Sequence, residues 1–440
     1  MMIRESIPAG AAMETEPSTN VQGSFWAALA YRDFRLLWGG LLVSGLGTWI
    51  QFTAMGYYIC TIAGSAGAAA LDLGILGAAR AIPVLLATPV AGVLSDRVSR
   101  RTVMFAASLG MASFPAILGV LYQRHELTFT AIVIITTLNA VAQCFEAPAR
   151  QSWVPLLVKP EHVGNALGLT SVAFNAPAVV GPLMAGGLIM KVGIGGSFFI
   201  NGIFTLAVVV AIMLTKATPV VKSARESMFA EITQGAGFLF GDPVLKWIVM
   251  VAAIAGLFTL PYGMFLPAYA INGLHAAPQG LGLVIGASGI GFLAGGFVSA
   301  RFGDGAGRGA TWAASALVSS IGLITLGFIH SLLWCLPILA LVGAATFTFL
   351  GLSNILLQSL SADEFRGRVA SIYTTVVLGV VPAGSLLFGI IADAIGISMG
   401  FVLAGSIVSL FIVAVCALRP ALLSSLASRP ANSNVSNAGV

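Results

Sequence analysis

A chain of 440 residues with 58% hydrophobic side chains, 8% charged ones and a mean hydropathy of +0.98 cannot be a soluble globule. Soluble domains carry about 25% charged residues, and this one lacks the polar surface to cover even a single core. A net charge of +5 in such a chain points to an anionic membrane surface rather than to nucleic acid.

The first polar stretch carries Glu5, Glu14 and Glu16, without the basic-then-apolar order of a cleavable signal peptide, so residues 1–27 are expected to be a disordered cytoplasmic tail. Apolar runs then follow at about 35–61, 74–95, 102–122, 128–147, 165–190, 194–215, 246–271, 280–300, 309–329, 332–357, 368–392 and 397–418. Each is long enough to cross a hydrocarbon layer of about 30 Å as a helix. Because lipid offers the backbone no hydrogen-bond partner, helices rather than open strands are the default. The expected fold is therefore an all-α membrane protein with twelve transmembrane helices.

Span one places Thr48, Gln51, Met55 and Tyr58 on one helix face. Span two holds Arg80, a cation inside the apolar run about a turn and a half from its outer end, suited either to binding an acidic group or to snorkelling. Gly92–Arg101, GVLSDRVSRR, is a short charged loop between spans two and three. Asp96 in it suits the positive end of a neighbouring helix, and Arg97, Arg100 and Arg101 suit acids on others, so the loop reads as a gate that rearranges between two states. In span four Thr136, Asn139, Gln143 and Glu146 share a side. Glu146 serves either a gating contact or a local pair with Arg150 four residues on.

The interval 216–245 is the longest polar stretch inside the bundle and divides the chain into six-helix halves, 28–215 and 246–419. At a constant offset of 203, Glu161, Gly164, Gly181 and Gly186 match Glu364, Gly367, Gly384 and Gly389. Two such halves build transporters that rock about a central site. In the second half, span seven aligns Phe258, Tyr262, Phe265 and Tyr269, and span ten aligns Phe347, Gly351, Asn354 and Gln358. Such stripes serve either packing or a binding pocket. Residues 420–440 are Ser/Ala/Asn-rich and expected to be a second disordered tail.

With an even number of spans the termini share a side. If the Arg97/Arg100/Arg101 loop is cytoplasmic, nearly every other cation falls inside as well, and only Arg124 and Lys191 land outside. Cys60, Cys144, Cys335 and Cys416 lie in or at the ends of spans and form no disulfide framework or metal spacing. No G-x-x-x-x-G-K-[ST] occurs, so ATP is not the driver, and no cofactor is expected. His125, His162, His275 and His330 are scattered, which argues against an intramembrane enzyme.

GVLSDRVSRR resembles the loop signature of the major facilitator superfamily, and FEAPARQSWVPLLV with GNALGLTSVAFNAPAVVGPLMAGG resembles its drug-efflux and secretion-effector branch. The resemblance spans about 30–420 and implies two pseudo-symmetric six-helix bundles in a bacterial cytoplasmic (inner) membrane. It also implies proton-driven export of a hydrophobic or amphipathic small molecule by a monomer, with both termini cytoplasmic. By the same resemblance Asp96 locks near Gly367, Gly92 belongs to the motif, and Glu146 pairs with an arginine of the loop. Spans one, four, seven and ten line the cavity by analogy, which makes Gln51, Met55, Asn139, Gln143, Tyr262, Phe265, Phe347 and Asn354 candidate substrate contacts, and Arg80 of span two joins them as the cation suited to an acidic group. Thr48 stands where some relatives carry an acid, and no carboxylate of this chain lies near mid-membrane. The alternative on the same fold is an importer or uniporter.

Overall fold

The computed structural model describes residues 26–97, 99–216, 237–303 and 307–419, with side chains given throughout except at 82 and 84–98. Both expected tails, apart from Trp26 and Ala27, and most of the 216–245 linker lie outside these residues, as do the surroundings of Gly92 and the side chains of Asp96 and Arg97. Ala27 is buried at the start of a short 3-10 turn rather than in a disordered tail. The chain forms α1 (Arg32–Ile62), α2 (Ala66–Arg97), α3 (Arg100–Gln123), α4 (Phe129–Trp153), α5 (Val163–Asn175) and α6 (Pro177–Leu214). A second series comprises α7 (Pro243–Phe258), α8 (Tyr262–Ala268), α9 (Pro278–Phe302), α10 (Arg308–Phe328), α11 (Leu332–Leu360), α12 (Arg366–Ile395) and α13 (Ile397–Leu418).

Local chemistry sets the helix ends. Ser99, Thr128 and Asp242 each accept a backbone N–H of the first turn of α3, α4 and α7. Pro177, Pro243 and Pro278 open α6, α7 and α9, where a missing amide costs nothing. Among the described residues, nine stretches are long and apolar enough to cross a membrane, and one of them, Pro160–Leu214, runs for 55 residues. At 1.5 Å per residue that is far too long for one crossing.

The chain reverses at Gly193. There φ is 74° and ψ 179°, a conformation open essentially to glycine alone. The packing proves the turn. Trp49 of α1 meets Gly181 before it, whereas Gly47, half a turn away on α1, meets Asn201 and Phe204 after it. Gly396, at the same 203-residue offset from Gly193 that relates the other repeat glycines, has φ 85° and ψ 154° between α12 and α13. Neither site has a steric neighbour within 4 Å, so backbone conformation alone is at stake. Gly193→Ala and Gly396→Ala are each expected to lower stability by about 1–3 kcal/mol, measured by thermal unfolding in detergent.

The same repeat appears in the contacts. Gly181 packs on Trp49 of α1 and Gly384 on Leu257 of α7. The Tyr58 hydroxyl donates to Leu127 O (2.8 Å), and that of Tyr269 to Leu326 O and Ile329 O (both 2.9 Å). Arg100 donates to Ser152 O at the end of α4, and Arg308 to the Ser359 hydroxyl at the end of α11. Counting α7 and α8 as the two parts of one span, Pro243–Gly273, each series is thus a bundle in which the third span opens with an arginine tied to the close of the fourth.

The bundles meet through α2 against α12 and α6 against α9. Call the rim near Arg32, Arg366 and Leu418 the terminal rim and the opposite one the far rim. The close glycine approaches across the bundles fall in the far half, among them Gly67 to Asp393, Gly74 to Ser385 and Gly389, Gly186 to Pro278 and Gln279, and Gly289 to Ala178. A methyl group added at Gly74 would lie 2.7 Å from the Ser385 carbonyl oxygen. Pro182 lacks the N–H that would bond Ala178 O, and that carbonyl is the one Gly289 faces. Toward the terminal rim, Gly164, Gly168 and Gly367 have nothing within 4 Å among the described residues. Among the described residues the bundles close on the far side and part on the terminal side.

Candidate functional site

The polar face of α4 meets the polar face of α1 inside the first bundle. Around a cavity of about 240 Å³ stand Gln51, Met55, Arg80, Asn139 and Gln143, with Trp49, Phe52 and Met111 supplying apolar wall. Four further polar groups line it: Thr48, Thr136, Asn201 and Thr205. Asn201 Nδ2 donates to Gln51 Oε1, Thr205 donates to Asn201 Oδ1 (3.3 Å), and Ser44 and Thr205 share a hydrogen bond of 3.2 Å. This ladder fixes α1 to α6 and leaves the Gln51 amide N–H groups for the cavity. The Thr136 hydroxyl faces Met55 Sδ at 3.7 Å. Asn139 Oδ1 is buried without a hydrogen-bond partner, an acceptor open to a ligand donor.

Two more cavities adjoin the first. One, of about 260 Å³, shares Thr48, Trp49, Met111, Gln143 and Thr205 with it and runs to Glu146, Arg150 and Phe174. The other, of about 370 Å³, lies between the bundles and takes in Arg80 and Gln143 from the first, with Met264, Leu378 and Pro382 from the second. Gln143 lines all three. Soft, adaptable walls of Met, Trp and Phe around a few amides suit a bulky amphipathic ligand. Among the described residues, no three His, Cys, Asp or Glu side chains stand together as a metal site would require.

Arg80 sits deeper than the hydropathy pattern suggests. α2 begins at Ala66, eight residues before the apolar run, so Arg80 is the fifteenth of 32 helical residues. That is about 21 Å of helix from the far end, beyond the reach of a snorkelling side chain.

Glu146 pairs with Arg150 (Nε to Oε1 2.8 Å), and the guanidinium lies 4.0 Å from the Phe174 ring centre. Arg101 reaches across to Ile212 O (3.1 Å) and Met213 O (3.0 Å), where a cation complements the negative end of α6. Gly367 opens α12 facing empty space among the described residues.

Four expected contacts lie elsewhere. Tyr262 is buried, its hydroxyl 2.6 Å from Ser288 Oγ. Phe265 is buried with its ring 4.4 Å from that of Phe388. Phe347 packs beside Phe292 of α9, and Asn354 accepts from Gln358 one turn on. None of the four borders the three cavities. Asn201 was missed, although an asparagine within an otherwise apolar run is itself a signal.

A sequence profile of the transmembrane secretion effector family, a branch of the major facilitator superfamily, matches residues 23–437. The chain belongs to that family. Its members are transporters, not enzymes. Macrolide efflux protein A of Streptococcus pyogenes is 24% identical over 380 residues, covering 85% of this chain and 93% of the relative. The multidrug efflux pump Tap of Mycolicibacterium fortuitum is 26% identical over 401 residues, covering 88% and 96%. Among solved structures, the nucleoside transporter NupG superposes with a TM-score of 0.69 at 12% identity, covering 88% of this chain and 99% of that one. A bacterial homolog of the human lysosomal transporter Spinster, inward-facing and unoccupied, gives 0.67 at 15%, covering 90% and 97%. At such identities these two establish the fold, that of a multi-pass major facilitator protein.

Proposed function

We propose that this protein exports a hydrophobic or amphipathic small molecule across a bacterial cytoplasmic membrane by alternating access, in exchange for protons. The observation that carries this reading is the set of three adjoining cavities, amide-lined and aromatic-walled, beneath a far rim closed by glycines. Similarity along most of the chain to a macrolide efflux protein and a multidrug pump supports the outward direction. Cations crowd the terminal rim, from Arg32 and Arg35 to Arg366, Arg368 and Arg419, against Arg124 and Lys191 at the far rim. By the positive-inside rule the terminal rim and both tails are then cytoplasmic, twelve passes are made, and the described arrangement is inward-open.

In this reading Asp96, with Gly92, Arg97, Arg100 and Arg101, latches against the start of α12 near Gly367 only when the cytoplasmic side closes. Glu146 is the one acid facing the described cavities and is the candidate proton-handling group, with Arg150 its counter-ion. The protein works as a monomer among lipids. Expressed in a pump-deficient host, the wild type is expected to lower accumulation of amphipathic dyes. Asp96→Asn should reduce that efflux about tenfold, in line with a lost charge-assisted contact. Unchanged accumulation in efflux assays with gain in uptake assays would assign import instead.

A further inference from the structure

We propose that the Arg80 guanidinium, where two cavities meet, binds the negative group of a singly charged amphipathic anion, a carboxylate or sulfonate. This names a substrate class for the export reading above and rests on it. An arginine stays charged in any protein setting, so burial cannot neutralise it. At mid-helix depth an unpaired charge is costly, and such residues face a partner or a water-filled cavity. Among the described residues Arg80 has no hydrogen bond and no ion pair, and it borders both the cavity inside the first bundle and the one between the bundles. Residues 84–95, whose side chains are outside the description, contain no charge at all. Glu146 is held by Arg150, and Asp72 lies eight residues back toward the far rim, about 12 Å of helix away.

The surroundings narrow the ligand. One cation among neutral amides matches one negative charge and repels cations, while a dianion would keep a charge unpaired. Gln143 lines both cavities with Arg80 and offers amide donors to a second oxygen of the same group. Trp49, Phe52 and Met264 line the two cavities with apolar surface for an attached ring system or chain. The orphaned Asn139 Oδ1 accepts a hydroxyl or N–H placed beside the anion. A bound anion cancels the intramembrane charge that Arg80 turns to the cavities, so the occupied carrier passes through its closed state without an unpaired cation.

The test compares 8-anilinonaphthalene-1-sulfonate with N-phenyl-1-naphthylamine, the same skeleton without the sulfonate, by fluorescence titration of the full chain in phosphatidylcholine nanodiscs. Empty discs supply the background. A charge-assisted contact predicts that Arg80→Gln weakens sulfonate binding about tenfold or more and leaves the neutral probe within about twofold, with Arg80→Lys retaining most of the affinity. Wild-type protein alone provides a second readout: decanoate displaces the sulfonate probe and decanol does not. Equal loss of both probes in Arg80→Gln, or displacement by decanol as effective as by decanoate, would overturn the proposal. Discs containing phosphatidylglycerol test for a lipid phosphate at the same place, and sulfonate binding lost there in the wild type would assign the site to the headgroup. Binding requires no transport. Charge-selective binding without export therefore sinks the export reading and leaves this one, and export of neutral dyes without charge selectivity does the reverse.

Discussion

Gly186→Ala is expected to hold the far rim open and slow transport about tenfold or more, whereas Gly187→Ala, one residue on, leaves the rate unchanged. A methyl group at Gly186 would lie 2.8 Å from both Gln279 Cα and Pro278 O, backbone atoms that cannot swing aside, while Gly187 has nothing within 4 Å. The α6–α9 seam must therefore separate in one case and not in the other. Overpacking costs about 1–3 kcal/mol, enough to shift a two-state equilibrium about 5- to 150-fold. The penalty applies only to the state in which the far rim is closed, so ligand binding from the far side should persist. Spin labels at Lys191→Cys and Ser331→Cys, in a background with the four native cysteines replaced, read the separation directly. Unaltered distances and rates in Gly186→Ala would mean that closure does not require this approach.

Arg150→Met should destabilise the fold by about 3 kcal/mol, the usual consequence of leaving one half of a buried ion pair behind. The side chains of Arg150 and Glu146 are 11% and 10% exposed, so solvent does little to screen the abandoned carboxylate. Glu146→Gln combined with Arg150→Met should recover most of the loss, since no charge then remains to be compensated. Denaturant titration in detergent of both variants and the wild type closes the cycle. A neutral Arg150→Met would show that the pair is a solvated surface contact. If the double variant is stable but fails to export, the stability and transport roles of Glu146 separate cleanly.

Helix geometry made much of this protein legible before any coordinates. Thr136, Asn139, Gln143 and Glu146 recur at spacings that put them on one side of α4, and that side does face the cavities. The stripe of Tyr262 and Phe265 obeys the same spacing, yet Ser288 and Phe388 cover it. Periodicity says that residues share a face and leaves open what lies opposite. The depth of Arg80 escaped for another reason: Asp72 lowers the local hydropathy and hides the first turns of α2, which packing against α12 nevertheless keeps helical.

The amino-acid order by itself determined that the chain lives in lipid as two related sets of helices, because apolar length, cation placement and the 203-residue repeat act locally along the chain. It also marked the polar side of α4 and the charged stretch Gly92–Arg101, which it read as a loop and which the structure makes the close of α2 and the opening of α3. Only the tertiary structure decided which faces meet, that among the described residues the bundles touch at far-rim glycines and part at the terminal rim, and that Arg80, without an ion-pair partner among those residues, stands at the junction of two cavities. Those outcomes depend on surfaces about ninety or more residues apart fitting within a few tenths of an ångström, which no local pattern encodes.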